Sequence, residues 1–403
     1  MKRQGLGCGI SETFLSAMHE CDPLGKYLHI ILQDGTSPEG GGIQNIAYHL
    51  ALHLSGRGLR VVVAGKTDSS VFENSSISVF SLKKPFRTKY ASDPRLLLLL
   101  LRLRLKLGRE VILYSLLINN IKVFRWLKPV LGWKCVSFLH GNEMLRLYSR
   151  KRGTLDRSVR ACLCVFANSR FTMDFINRIR HYANIVILNP AISVQLYTDF
   201  EGPDYREKGN LTGRKIILML SRLVRRKGHD TVIRAVSRLL PRHPDVLLLI
   251  AGKGGYRSEI EKMVLRAGLQ AHTKILGFVT EEEKLSLYRA CDVYCMPSET
   301  SEEKFDVEGF GITFIEAAAM GKLAIGSYSG GIPDAIEDGR SGFLIEPGDD
   351  EKLEKLLDEI FSNPEKYDGI RHYARERVLR DFSWEKQGDR IIKSLCSLIG
   401  GTS

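Results

Sequence analysis

Two glutamates eight positions apart, Glu308 and Glu316, bracket a glycine turn and a helix start in EGFGITFIEAAAMGKLAIGSYSGGIP, 308–333. Gly309, Phe310 and Gly311 permit a tight turn whose backbone N–H groups can approach a ligand, and 312–320 is a run of good helix formers. The first N–H groups of a helix are unpaired and carry partial positive charge, so a glycine turn in front of them makes an anion site. A phosphate seated there would have a carboxylate on either side. Carboxylates do not bind phosphate; they accept hydrogen bonds from hydroxyls. A ligand with hydroxylated groups at both ends of a diphosphate fits, which is to say a nucleotide sugar. The plainer alternative makes Glu308 a solvated loop carboxylate and Glu316 a surface position on an ordinary helix, and the surroundings must decide.

Three other stretches carry residue types suited to the same chemistry. The strand-like run 216–220 (IILML) leads into SRLVRRKG, 221–228, in which Arg222 and Lys227 can neutralise a diphosphate; the alternative is a solvated basic loop. The run 135–139 (CVSFL) ends at His140 and Gly141, and the carboxyl end of a strand is where α/β domains place ligands. A lone histidine there is otherwise structural. A glycine loop, Gly40 to Gly42, follows the run 27–33 (YLHIILQ). Two decoys are set aside: this loop is not GxGxxG, and Gly65-Lys66-Thr67 has Arg60 where a P-loop needs its first glycine. No DxD or HExxH occurs, and the eight cysteines lack zinc spacing, so neither a metal nor a cofactor is expected and the thiols read as reduced and mostly buried.

The elements that must position these residues alternate. Apolar runs at 27–33, 59–64, 111–117, 135–139, 161–167 and 185–188 read as buried strands separated by helices, and the alternation restarts at 216–220, 246–251, 274–279 and 293–296. The pattern predicts α/β architecture in two Rossmann-like domains. Residues 1–205 are expected to form the first domain, with 198–215 as the polar connection, and 206–375 the second; 376–403 end in a bracing amphipathic helix. A chain of 403 residues, 44% apolar and 26% charged, suits two cores. No run has signal-peptide character and none reaches the roughly 18 apolar residues of a membrane span, so a cytoplasmic location is expected.

Charge divides unevenly. Residues 1–205 hold 28 Lys and Arg against 15 Asp and Glu, whereas 206–403 hold 31 against 31, so the whole formal +13 lies in the first half. That half is expected to meet an anionic partner. The stretch 83–109 carries nine basic residues and one acid, and in 121–134 (IKVFRWLKPVLGWK) Lys122, Arg125 and Lys128 share a helical ridge beside Phe124, Trp126, Leu127 and Trp133. Basic helices with tryptophan at their margins bind anionic membranes, which implies peripheral attachment at the cytoplasmic face of the inner membrane. The alternative is ordinary surface helices with basic outer faces. No nucleic-acid-binding motif accompanies the charge.

The basic loop, the GFV turn at 277–279 and DVEGFGITFIEAAAMGKLAIGSYSGGIPDAIEDGRSGFLIEPGD (306–349) together resemble the retaining GT-B glycosyltransferases of the large family-4-like group of bacterial mannosyl- and glucosyltransferases. GGI at 41–43, HG at 140–141 and NPA at 189–191 add to the likeness, which runs from about residue 27 to the last helix. The resemblance implies two Rossmann-like domains facing across a cleft, donor on the C-terminal one and acceptor mainly on the other. Glu316 would hold ribose hydroxyls, Glu308 the sugar hydroxyls, and Arg222 and Lys227 the diphosphate, with help from the turn at Gly309, Phe310 and Gly311. Phe278 and Val279 would contact the base, Gly41 and Gly42 would close on the diphosphate, and His140 would point at the sugar. The first loop lacks the longer run of basic residues expected there. DVEGFG is most like the phosphatidylinositol mannosyltransferase branch. The implied reaction is metal-independent hexose transfer from GDP-mannose or a UDP-hexose to a lipid-linked or polysaccharide acceptor in cell-envelope glycan synthesis, lipopolysaccharide included. The alternatives are an epimerase, a sugar phosphorylase or a non-catalytic nucleotide-sugar-binding protein.

Overall fold

The computed structural model describes residues 23–37, 42–81, 94–203, 205–301 and 305–400. Gly41 and the basic stretch 82–93 lie outside the described residues; Gly42 begins a helix, Gly42–Gly56.

The apolar runs are strands of two parallel sheets. Among the described residues the first sheet comprises β1 (Leu28–Leu32), β2 (Arg60–Gly65), β3 (Ser78–Ser81), β4 (Val111–Ser115), β5 (Lys134–Leu139), β6 (Cys164–Ala167) and β7 (Ile185–Ile187), in the order β3-β2-β1-β4-β5-β6-β7. The second comprises β8 (Lys215–Leu220), β9 (Val246–Ala251), β10 (Thr273–Gly277), β11 (Val293–Cys295), β12 (Leu323–Ser327) and β13 (Phe343–Ile345), in the order β10-β9-β8-β11-β12-β13. Helices cover both faces of each sheet, so the central strands are buried on both sides and read as unbroken apolar runs. Strand order reverses beside β1 and again beside β8, which opens a crevice at the carboxyl ends of each sheet. This is the expected α/β class with two Rossmann-like domains across a cleft.

Three elements differ from the expected pattern. β3 is only four residues long and only partly covered, too weak a run to read as a strand, and β12 and β13 follow the glycine turn closely. Ala161 ends the helix Gly141–Ala161 instead of starting a strand, because the chain needs Cys162 and Leu163 to leave that helix.

The chain crosses between domains twice. Ile192, Val194 and Tyr197 already pack with the second core, and Phe382 joins it from the return path. The last helix, Trp384–Gly400, then lays Ile391, Ile392 and Leu395 against Ala47, Leu50 and Leu54 of the first domain. Gly388 is pressed on the His53 ring, where a Cβ would come within 2.2 Å, and Trp384 stacks on His49 at 4.5 Å. This helix therefore braces the two domains.

On the basic half, Phe124 and Trp133 are core residues, 1% and 2% exposed, and not the interfacial bulk expected of them. Trp133 lies past the end of the helix Ile121–Leu131 and turns inward so that its indole N–H can donate to Gly108 O at 2.9 Å. Trp126 is 78% exposed and stands out from that helix. Five of the described cysteines, Cys135, Cys162, Cys164, Cys291 and Cys295, are buried free thiols. Among the described residues no helix is long and apolar enough to cross a membrane.

Candidate functional site

The 308–311 turn is dictated by its glycines. Gly311 adopts φ +90° as the residue before the helix Ile312–Ala319, and a Cβ there would lie 2.5 Å from the Phe314 ring. Gly309 faces the other domain, with Asn168 and Gly141 against it, and Gly331 packs on its carbonyl. The Phe310 side chain is buried in the core beside Phe382. Of the turn's ligand-facing groups, Phe310 therefore offers only its backbone, because an apolar ring at this point gains more from the core than from a polar cleft.

Glu308 is not a solvated carboxylate. Its side chain is 14% exposed, and its Oε2 accepts hydrogen bonds from Lys227 Nζ and, at 2.8 Å, from Arg226 Nη1. Both cations are themselves buried, and both stand in the short turn Arg225–Lys227 that follows β8. Burial alone would push the Glu308 carboxyl up, but Lys227 and Arg226 outweigh it and hold the group down to about 2. Burial acts in the opposite sense on Lys227 and lowers it, against the attraction of Glu308. With two cations around one carboxylate, the ionised arrangement is the one that fills the site. Arg222 is exposed at the same strand end, near enough for its charge to repel Lys227.

Glu316 sits one turn into its helix, buried, and is held differently. Tyr197 OH and Lys284 Nζ donate to its Oε1 at 2.7 and 3.1 Å, and Tyr288 OH to its Oε2 at 2.8 Å. Burial and the neighbouring carboxylate raise both tyrosines above the ordinary phenol range, so they remain protonated donors. An open cavity of about 570 Å³ lies over this group, lined by Glu316, Lys284 and Thr313 from one domain and by Asn45, His49 and Trp384 from the other side. The plain alternative, a surface glutamate on an ordinary helix, does not survive this burial.

His140 precedes the helix Gly141–Ala161, and the turn it begins docks on the 307–309 segment across the cleft. Asn142 Oδ1 accepts from Val307 N at 2.8 Å, and a Cβ on Gly141 would lie 2.8 Å from Val307 and 3.2 Å from Gly309. His140 Nε2 is 3.0 Å from Leu116 O. A carbonyl only accepts, so that nitrogen carries the hydrogen and Nδ1 keeps its lone pair. Burial lowers the imidazole pKa and keeps it neutral at ordinary pH. A second bridge over the cleft joins Arg170 to Asp334. Phe278, 65% exposed after β10, has Lys253 Nζ 4.4 Å from its ring, and Val279 packs inward on the second core.

The structure thus gathers Lys227, Glu308, Gly309, Gly311 and His140 around one end of the cleft, with Arg222 beside Lys227 and Glu316 one helical turn away, while Phe278 is exposed after β10. Sequence reasoning missed Arg226, Tyr197, Lys284 and Tyr288. Arg226 was one of three consecutive cations with no signal to separate it from Arg225. Lys284 and Tyr288 stand four apart on the helix Glu281–Ala290, a spacing that puts both on one face and could have flagged them. Tyr197 comes from the crossover segment and had no local signal.

Comparison with known proteins bears on the family and the fold. Residues 40–196 match the model described as Glycosyltransferase Family 4, and residues 202–377 match Glycosyl transferases group 1. The chain is 29% identical over 275 residues to a GDP-mannose-dependent alpha-(1-6)-phosphatidylinositol monomannoside mannosyltransferase of Mycolicibacterium smegmatis, covering 65% of this chain and 70% of that one. It is 34% identical over 182 residues to a GDP-mannose-dependent monoacylated alpha-(1-6)-phosphatidylinositol monomannoside mannosyltransferase of Corynebacterium glutamicum, where it spans 47% of the relative's length. The fold is shared with the crystal structure of Anabaena HepE in complex with UDP and glucose, at a TM-score of 0.73 and 19% identity, covering 92% of this chain and all of that one. A sucrose-phosphate synthase from Thermosynechococcus elongatus superposes at a TM-score of 0.75 with 20% identity over 93% of this chain and all of that one. Two matching domain models in series, a shared two-domain fold and mannosyltransferase relatives make this chain a GT-B glycosyltransferase of the family-4-like group.

Proposed function

We propose that the protein is a retaining, metal-independent mannosyltransferase that moves mannose from GDP-mannose to a lipid-linked acceptor of the cell envelope. The observation that carries this reading is Glu308, buried between Lys227 and Arg226 beside the N-terminus of the helix Ile312–Ala319. Departure of a nucleoside diphosphate breaks the bond from the anomeric carbon to a phosphate oxygen and leaves negative charge on that phosphate. Lys227, Arg222 and the helix N–H groups lie beside the place where that charge develops and stabilise it. Glu308 Oε1 accepts from a sugar hydroxyl and fixes the ring, and Glu316 does the same for the ribose. The acceptor oxygen forms its bond to the anomeric carbon on the face the phosphate leaves, and the acceptor proton passes to the departing phosphate oxygen. His140, neutral and anchored on Leu116 O, positions the sugar. The mannose and lipid preferences are supported by the names of the relatives.

The first domain is the acceptor side, and its basic face is proposed to rest on an anionic membrane from the cytoplasmic side. Leu98, Leu105, Trp126 and Val130 are exposed on the packed helices Pro94–Leu107 and Ile121–Leu131. Beside them Lys122 and Arg125 are held against Lys151 and Arg157, so that burial and like charge both lower their pKa values. Cations pressed together gain from an anionic surface.

The transfer reading predicts that free GDP accumulates only when GDP-mannose and a lipid acceptor are both supplied. GDP released at the same rate without acceptor, or turnover restricted to UDP-sugars, would replace it. For the membrane, Trp126→Ala should weaken co-sedimentation with phosphatidylglycerol vesicles, and added salt should weaken it in the parent as well. Binding indifferent to both changes would remove the basic face from the account.

A further inference from the structure

We infer that Arg226 is the positioning residue of the donor site: it holds Glu308 ionised and in place while Lys227 leaves that carboxylate for the donor diphosphate. This rests on the donor-site reading above.

The two cations on Glu308 are not equivalent. Arg226 Nη1 donates to Glu308 Oε2 at 2.8 Å, and its Nε lies 2.6 Å from Asp306 Oδ1, aligned as a charge pair and not as a hydrogen bond. One guanidinium therefore spans positions 306 and 308 and ties that segment to the turn after β8. The turn is itself pinned. Glu299 N donates to Arg226 O at 2.7 Å, and Gly228 turns at φ +72° against the Pro297 carbonyl, where a Cβ would come within 2.2 Å. Arg226 is thus a planar fork on a fixed backbone.

Lys227 is a single ammonium on a flexible stem. Its contacts are Glu308 Oε2 and the Met296 thioether at 3.3 Å, a weak acceptor. It already feels repulsion from Arg226 and Arg222. A diphosphate arriving on the adjacent helix N-terminus offers this ammonium stronger acceptors than a carboxylate it shares. Once Lys227 moves, Glu308 would be a buried carboxylate with no counter-charge, and burial would drive it toward the neutral acid, a poor acceptor for a sugar hydroxyl. Arg226 prevents this, since a guanidinium does not lose its proton at any working pH. Among the described residues, Asp306 on the same segment and Tyr294, whose hydroxyl is bound to Thr313 Oγ1 and Leu220 O, also bear on Glu308 or its fork. Both cations meet Oε2, which leaves Oε1 for the sugar.

The consequence separates sugar from nucleotide. Calorimetric titration of the full chain with GDP-mannose and with GDP, and with UDP-glucose and UDP as a second pair, at pH 7.5 and pH 5.5, reads it directly. Arg226→Met should weaken the nucleotide sugar about tenfold while leaving the nucleoside diphosphate unchanged, and its loss should grow at pH 5.5. Arg226→Lys should recover part of the difference. Lys227→Ala should weaken both members of the pair. If Arg226→Met weakens both members equally, or neither, the inference is wrong, because a merely structural arginine does not distinguish them. If Lys227→Ala affects neither, or the parent binds neither pair, the donor-site reading itself fails and takes this inference with it.

Discussion

Glu308 and Glu316 are the same residue eight positions apart on one short segment, and they are held by opposite means. Glu308 stands on an irregular turn between two buried cations; Glu316 stands one helical turn in, under two tyrosine hydroxyls and a lysine. Charges around Glu308 keep it ionised where burial alone would not. Around Glu316 two of the three partners are neutral hydroxyls, the kind of donor that the proposed ribose hydroxyls also are. The first arrangement suits a group that meets the reacting sugar while charge develops next to it. The second suits a group that recognises a part of the donor that does not change during the reaction.

The contrast breaks most visibly at Glu308. Glu308→Gln should lower turnover by about a hundredfold and, by leaving buried Lys227 without its counter-charge and Arg226 with Asp306 alone, lower stability by about 3 kcal/mol at neutral pH. Turnover and a thermal melt of the same preparation read both. The stability part has a defined pH window. The folded-state pKa is depressed from 4.5 to about 2, so the stabilisation is fully present above pH 4.5 and is lost as pH falls toward 2. The melting difference between parent and variant should therefore shrink between pH 4.5 and pH 2; a difference that persists unchanged would mean the carboxylate is not held by charge.

Glu316→Gln should act more mildly, raising the donor KM about tenfold with kcat much less affected, since the ribose contact proposed for it would be made equally in ground and transition states. An equal fall in kcat would erase the distinction between the two carboxylates. The smallest effect belongs to Tyr197→Phe. It removes one of Glu316's hydroxyl partners from the crossover segment and should cost about 1 kcal/mol of stability, with donor affinity changed only a few-fold. A calorimetric melt and a donor titration separate the two readouts.

Much of the scaffold was legible because buried parallel strands are written as continuous apolar runs. The strands at 216–220 and 246–251 emerged close to their expected bounds, whereas β3, short and only partly covered, left no comparable run. The helix after Gly311 was legible from its glycine turn and its helix formers. Phe124 and Trp133 were misplaced because periodicity cannot tell an aromatic that covers a surface from one that fills a core. Trp133 followed its hydrogen-bond partner, Gly108 O, inward.

By itself the sequence determined local things: which runs are buried, where a helix must start, which glycines a tight turn requires, and where the net positive charge lies. These depend on neighbours along the chain, and their physics is short-ranged. Only the tertiary structure decided that Arg226 and Lys227 would close on Glu308 from 82 and 81 positions away, and that Tyr197 would reach Glu316 across 119. Only it placed Gly141 and Asn142 on the 307–309 turn from the opposite domain. Charge pairing and burial act between whichever groups folding brings within a few ångströms, and no local pattern encodes that distance.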